Sequence, residues 1–381
     1  MDDRRLFDSE ACGRHLGRLR AQDVQEGLAA MLVRGTTNIQ WLTAFDNVFD
    51  DEAAHALFVD QARAVLHTDS RYSAACERAA GEGPITVNSA RESHAAFAAK
   101  LWRHRLFAEA GDKLGIEGAI SLKEYRGLEK EFAEENGASL PFKETDELVV
   151  KLRAVKDPYE LARMRAAQAI TDAAFSHIVQ FMAPGMTERE VQLELEDFMV
   201  RHGADGLAFP SIVATGPNGA SPHAIPGQTV LQAGQCVVLD FGARFMGYCS
   251  DMTRTVFLGT PDGEMAAAWE TLRRANEAVE AMLAPGVTGA QAHQLAEDVL
   301  AQGGFGGKMG HGLGHGVGLD IHELPVLSPR NPAPLEQGNV VTVEPGIYIE
   351  GSFGMRLEDF GVVTADGFQV FTASSHEMVV I

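Results

Sequence analysis

The chain has 381 residues and a formal net charge of -21 at pH 7; the length points to two or three domains, and the acidic balance excludes a nucleic-acid partner, whose phosphates require clustered Lys and Arg. Its 45% hydrophobic and 22% charged residues are those of a globular protein with a core large enough for stability. With no apolar run of membrane-spanning length and no apolar export segment in the opening MDDRRLFDSEACGRHL, the expectation is a cytoplasmic protein without a membrane partner.

Residues 1–150 read as a small α/β unit. The apolar runs 28–33, 56–59 and 62–66 have strand length and are expected to be separated by helical stretches; 95–106 has helical periodicity, and the polar segment 46–52 is a loop. A boundary falls in 149–158, where Asp157 can cap a helix whose first turn accommodates Pro158. Leu161, Met164, Ala167 and Ile170 carry that helix to about Met182. Cys12, Cys76, Cys236 and Cys249 are scattered without a CxxC pair, which excludes a zinc knuckle and reads as free, buried thiols.

Residues 151–381 repeat themselves weakly. The run Met182-Ala-Pro-Gly-Met-Thr187 recurs as Leu283-Ala-Pro-Gly-Val-Thr288 at an offset of 101, and the same offset carries Glu196-Asp197 onto Glu297-Asp298. Each copy reads as helix, Pro-Gly turn, Thr cap and second helix, with Thr187 and Glu190 forming a capping box. A strand-rich block follows each copy, at 236–258 and at 339–364. Two similar halves imply a pseudo-twofold domain.

Each block carries two acids. Asp240 ends the apolar run 237–239, and a carboxylate there is costly unless paired or metal-bound. The intervening ARFMGY can supply a hairpin turn that returns Asp251 beside Asp240. Glu344 ends the apolar run of VVTVEPG, and Glu358 lies in MRLEDF, two residues along a strand from Arg356. The alternative for these acids is local pairing, Asp251 with Arg254 and Glu358 with Arg356. Between the blocks, GHGLGHGVGLDIHELP holds His311, His315 and His322. Glycine at this density lets the backbone approach something closely, but the Lys-Ser/Thr of a nucleotide loop is missing. Four carboxylates and an imidazole make a hard, oxygen-rich donor set, suited to two divalent ions of Mn, Co, Zn or Fe. Two such ions can acidify a shared water and polarise a carbonyl. No GxSxG nucleophile competes.

The segments SPHAIPG, VVLDFGARFMGYCSDMTRTV, GHGLGHGVGLDIHE, VVTVEPGIYI and GMRLEDFGVV resemble, in order and spacing, the pita-bread metallopeptidases: prolidase (Xaa-Pro dipeptidase), Xaa-Pro aminopeptidase, methionine aminopeptidase and creatinase. TNIQWLTAF and HTDSRY are similar to the amino-terminal domain of the creatinase, prolidase and aminopeptidase P branch. The resemblance implies an α/β (α+β) fold with a creatinase-like domain at 1–150 and a pseudo-twofold pita-bread catalytic domain at 151–381. It implies that Asp240 chelates one metal, that His315 and Glu344 bind the other, and that Asp251 and Glu358 bridge them. Glu344 would also be the general base toward a bridging water. His223 matches the substrate-side histidine, and His322 the one that steadies the tetrahedral intermediate and the leaving proline nitrogen. His311 and Arg356 would surround the ligands, with Tyr248 and Thr253 as weaker candidates. The expected activity is hydrolysis of Xaa-Pro bonds at the amino terminus of dipeptides or short proline-containing peptides, by a homodimer. A small-molecule hydrolase or lyase on the same scaffold is the alternative. A non-catalytic binding protein is disfavoured by the intact ligand set.

Overall fold

The computed structural model describes residues 8–50, 52–104, 111–136, 140–145 and 147–381, and the chain divides into two compact units, Met1–Arg153 and Ala154–Ile381. In the first unit the apolar runs build a six-stranded sheet in the order Ile85–Asn88, Ala64–His67, Ala56–Asp60, Leu28–Val33, Lys113–Glu117 and Phe142–Thr145. Leu28–Val33 and Ala56–Asp60 are buried along their whole length, which continuous rather than alternating apolar runs require.

The runs expected at 56–59 and 62–66 are not separated by a helix. They form an antiparallel hairpin with Ala56 opposite His67 and Val59 opposite Ala64. The second strand starts late because Asp60 Oδ1 accepts from the amides of Ala62 and Arg63 and closes a turn there. The helix expected over 95–106 runs His94–Arg103, capped by Ser93, whose Oγ accepts from the Ala96 amide; residues 105 and 106 lie outside the described residues, as does residue 51 of the loop at 46–52. All four cysteines are buried and unpaired.

The second unit opens with the helix Pro158–Phe181, closed by reciprocal bonds between Asp157 and Glu160. The internal repeat extends to cap geometry. Thr187 and Thr288 cap Glu188–Arg201 and Gly289–Gln302, each through a complete capping box, with Glu190 in the first and Gln291 in the second. One helix pair shares a core with the sheet Val379–Val380, Met252–Phe257, Cys236–Phe241, Ile212–Thr215, built on Ile178, Leu195, Met199, Leu239 and Phe241. The other pair, Gly263–Met282 and Gly289–Gln302, joins Trp269, Leu272, Val279 and Leu300 to Val341, Val343 and Val363. Those valines belong to the sheet Glu323–Leu327, Gly314–Gly316, Val340–Val343, Asp359–Thr364, Gly367–Val370. No helix among the described residues is long and apolar enough to cross a membrane.

One buried group in the first unit is out of balance. Asp23, on the helix Ser9–Gln25, is fully buried and both carboxylate oxygens are without a hydrogen-bond partner. Burial outweighs the nearby charge of Arg20 and pushes its pKa up to about 7. A carboxyl that binds its proton more tightly folded than unfolded stabilises the fold less as pH rises from its unfolded pKa to its folded one. Asp23→Asn is therefore expected to gain stability over the parent between about pH 4 and pH 7, by up to a few kcal/mol in denaturant unfolding. A difference independent of pH would contradict this.

Candidate metal centre

The acids stand at the ends of two antiparallel ladders. In the first half Asp240 is opposite Thr253 and Phe241 opposite Met252, so Asp251 lies just before its strand and beside Asp240. The expected hairpin connects them: Ala243–Phe245 pairs with Tyr248–Cys249 around Met246 and Gly247, both at positive φ, as a tight two-residue turn demands. In the second half Val343 is opposite Asp359, which leaves Glu344 and Glu358 as the next pair past the ladder. Arg356 and Glu358 do not share a strand as expected. The backbone breaks after Phe353–Arg356, which pairs with Gly346–Ile349, and resumes in another sheet at Asp359–Thr364.

His315 reaches these acids from Gly314–Gly316, which pairs with the strand Val340–Val343. A Cβ on Gly314 would stand 2.2 Å from the Thr342 carbonyl oxygen; here the glycine-rich stretch must pass against its neighbour. The His315 Nδ1 lies 3.1 Å from the Gly316 carbonyl, which can only accept. Nδ1 therefore carries the hydrogen, and Nε2 turns its lone pair toward Glu344 Oε1 at 3.4 Å and Asp251 Oδ2 at 3.6 Å. Two donors bound to one ion at roughly 2.1 Å stand roughly 3.4 Å apart in a tetrahedral arrangement. One donor atom each from Asp251, His315 and Glu358 lies within 4.8 Å of the other two.

Asp240 decides the fit. Its Oδ2 is held by Arg356 Nη2, while its Oδ1 is buried without a hydrogen-bond partner, and an orphaned carboxylate oxygen is costly. Burial, then the charges of Asp240 and Glu344, push Asp251 well above the usual carboxylate range. Burial, then the charge of Asp251, does the same to Glu358; Glu344 is raised chiefly by burial. Buried acids that repel one another, an unpartnered oxygen and a correctly turned imidazole all suit divalent cations, which would take the place of protons on these groups.

The local ion pairs are not made. Arg254 pairs with Asp359 at 2.7 Å rather than with Asp251, and Arg356 turns to Asp240. Arg356 Nε also donates to Thr253 Oγ1 at 2.9 Å, and that hydroxyl donates to Glu358 Oε2 at 2.6 Å. Arg356 Nη1 donates to the Tyr348 hydroxyl at 3.0 Å, and that hydroxyl lies 3.0 Å from His311 Nε2. The other His311 nitrogen donates to the Gly312 carbonyl at 2.7 Å, so Nε2 accepts from Tyr348. Tyr248 is not here. It is buried with its hydroxyl 3.3 Å from Glu160.

Sequence reasoning missed Tyr348 and Thr342. The Thr342 hydroxyl accepts from the His315 amide at 3.0 Å and donates to Glu344 Oε1 at 3.3 Å. Its signal was alternation: Thr342 and Glu344 are two apart, on one side of an extended chain. Tyr348 folds back over Gly346, where a Cβ would stand 2.5 Å from its hydroxyl; the Gly-x-Tyr spacing was the available sign.

The donors open into a cavity of about 560 Å³ whose wall includes His223, His311 and His322. The His322 ring stands edge-on to His315, with centroids 4.4 Å apart. Phe209, Pro210, Ile212, Ala224 and Ile321 give the cavity an apolar side.

Residues 162–365 match the model of metallopeptidase family M24, and residues 15–155 match the creatinase/prolidase amino-terminal domain. The chain belongs to metallopeptidase family M24. It is 34% identical to the uncharacterized peptidase YqhT of Bacillus subtilis over 373 residues, covering 96% of this chain and 99% of that protein. Among solved structures it is similar to the Xaa-Pro dipeptidase from Bacillus anthracis, at 34% identity and a TM-score of 0.87 over 97% of this chain and 100% of that one. It is also similar to the X-Pro aminopeptidase from Thermotoga maritima, at 30% identity and a TM-score of 0.84, covering 96% and 99%. Members of this metallopeptidase family use divalent metals, and the carboxylate and histidine cluster of this chain is able to hold them.

The Thr253 hydroxyl joins Arg356 to Glu358, so the near-isosteric Thr253→Val is expected to leave the fold intact and weaken manganese binding about 10- to 100-fold. Isothermal titration of the metal-free protein measures it; unchanged affinity would show that the hydroxyl does not orient Glu358.

Proposed function

We propose that this protein is a dinuclear metallopeptidase that hydrolyses the Xaa-Pro bond at the amino terminus of dipeptides or short peptides. In this reading residues 151–381 carry the catalysis, and residues 1–150 form the accessory domain. The observation that carries it is the shared cavity: Asp240, Asp251, His315, Glu344 and Glu358, the histidines His223 and His322, and a set of apolar residues all line one space. The similarity over nearly full length to an Xaa-Pro dipeptidase and to an X-Pro aminopeptidase supports the substrate class.

Asp240 would hold one ion, His315 and Glu344 the other, with Asp251 and Glu358 between them. Bound divalent ions polarise the scissile carbonyl and lower the pKa of the attacking water. The oxygen-rich donor set favours Mn, with Co, Zn and Fe also suited, and the family resemblance supports a homodimer.

Glu344 takes the proton of the attacking water. Its Oε1 receives the Thr342 hydroxyl, and its Oε2 stands 3.9 Å from Arg356 Nε, so the carboxylate is oriented before substrate arrives. An Xaa-Pro bond is a tertiary amide without an N–H, and its ring fits the apolar side formed by Phe209, Ile212 and Ile321. His322 serves the departing ring nitrogen, and His223 orients the substrate from the loop Pro222–Pro226 side of the cavity.

The test is a matrix of metals against substrates. With manganese, cobalt or zinc restored, free proline is expected from Xaa-Pro dipeptides, and cleavage of Xaa-Pro-Yaa tripeptides separates the aminopeptidase from the dipeptidase form. Glu344→Gln is expected to lower kcat about 10²- to 10⁴-fold. Failure of every metal to support cleavage of either substrate, or near-parental turnover by Glu344→Gln, would overturn the reading.

A further inference from the structure

Behind the metal-facing acids lies a second set of charged groups that the proposed chemistry does not use. Arg254 is fully buried on the strand Met252–Phe257. Its Nη1 donates to the carbonyl oxygens of Thr253 at 3.0 Å and Glu358 at 2.6 Å. Its Nη2 donates to Asp359 Oδ1 at 2.7 Å and to the Ser374 carbonyl at 2.6 Å. One guanidinium thus clips the backbone of the first half to the backbone of the second at the residue that carries the Glu358 carboxylate. A direct bond from the Glu358 amide to the Thr253 carbonyl, at 3.1 Å, lies in the same junction.

Asp359 orients that guanidinium, and Asp359 is held in turn from the carboxyl-terminal segment. Its Oδ2 accepts from His376 Nε2 at 2.6 Å, and His376 Nδ1 stands 3.4 Å from Glu277 Oε1. Carboxylates at both ring nitrogens favour the imidazolium, which donates from both. The segment bearing His376 ends in Val379–Val380, paired in parallel with Met252–Phe257, so it is anchored to the strand that supplies Thr253 and Arg254. Donor atoms of Glu280, Asp359 and His376 also lie within 4.8 Å of one another, but Arg254 already occupies the other oxygen of Asp359. A cation there would meet a fixed positive charge, and the cluster is an ion-pair network.

We infer that His376 is a positioning residue for the metal centre, acting through Asp359 and Arg254 to fix the backbone from which Glu358 and Thr253 project. Charge-assisted bonds in a buried chain of this kind are strong and directional. Removing His376 takes away the cation that holds Asp359 Oδ2, loosens the grip of Asp359 on Arg254 and of Arg254 on the Glu358 carbonyl, and lets the Glu358 carboxylate shift. The inference rests on the reading of Glu358 as a metal ligand.

The test compares cobalt binding by the full chain, its His376→Ala and His376→Gln variants, and His376→Lys, which restores a cation toward Asp359. Glu358→Ala is the control for the ligand assignment. Cobalt affinity and the visible spectrum of the bound ion need no peptide substrate. Folded Ala and Gln variants are expected to bind cobalt about 10- to 100-fold more weakly with an altered spectrum, with most of the affinity regained in the Lys variant. On an Xaa-Pro substrate the same variants should lose kcat with little change in KM. A lowered melting temperature with parental cobalt affinity and spectrum would reduce His376 to a structural contact and overturn the inference, as would a Lys variant no better than Ala. Parental binding by Glu358→Ala would instead overturn the ligand assignment.

Discussion

Mutual repulsion among four buried carboxylates is the constraint on which the second unit is built. Asp240, Asp251 and Glu358 are buried, Glu344 nearly so, and one guanidinium, Arg356, touches the group directly. One cation cannot balance four such acids, and burying unbalanced charge costs several kcal/mol per group. Proteins keep such clusters where cations or chemistry require them. The orphaned Oδ1 of Asp240 and the Nε2 lone pair of His315 are the groups that such cations would satisfy.

The fold meets this constraint by using one device twice. Each half sets two acids at the end of an antiparallel ladder: Asp240 on the penultimate rung with Asp251 just outside the partner strand in one half, Glu344 and Glu358 as the next pair past the ladder in the other. The ladder bonds set the spacing of each pair, and the junction through Thr253, Arg254 and Arg356 sets the spacing between pairs. Side chains that must hold ions to within a few tenths of an ångström are better carried by strands than by free loops. The capping boxes at Thr187 and Thr288 belong to the same repetition, one step further from the cavity.

What could be read in the sequence follows from this. The four acids and the imidazole stand out because strand alternation and Gly-rich turns are local signals, and so do the capped helices and the Met246-Gly247 hairpin. Partner choice was not local. Arg254 and Arg356 each sit near an acid in sequence, yet both reach across the sheets, to Asp359 and Asp240. The break between Arg356 and Glu358 depends on pairing with Gly346–Ile349, which no short window contains. Tyr248 lies in a motif rich in site residues but turns toward Glu160, whereas Tyr348 reaches the site only because Gly346 leaves it room.

The most direct measurement is anomalous diffraction from crystals loaded with manganese or cobalt. Two peaks about 3.5–4 Å apart are expected, one against the orphaned oxygen of Asp240, the other against His315 Nε2 and Glu344, with Asp251 and Glu358 between them. A single peak, or none in the cavity at saturating metal, would contradict the two-ion centre.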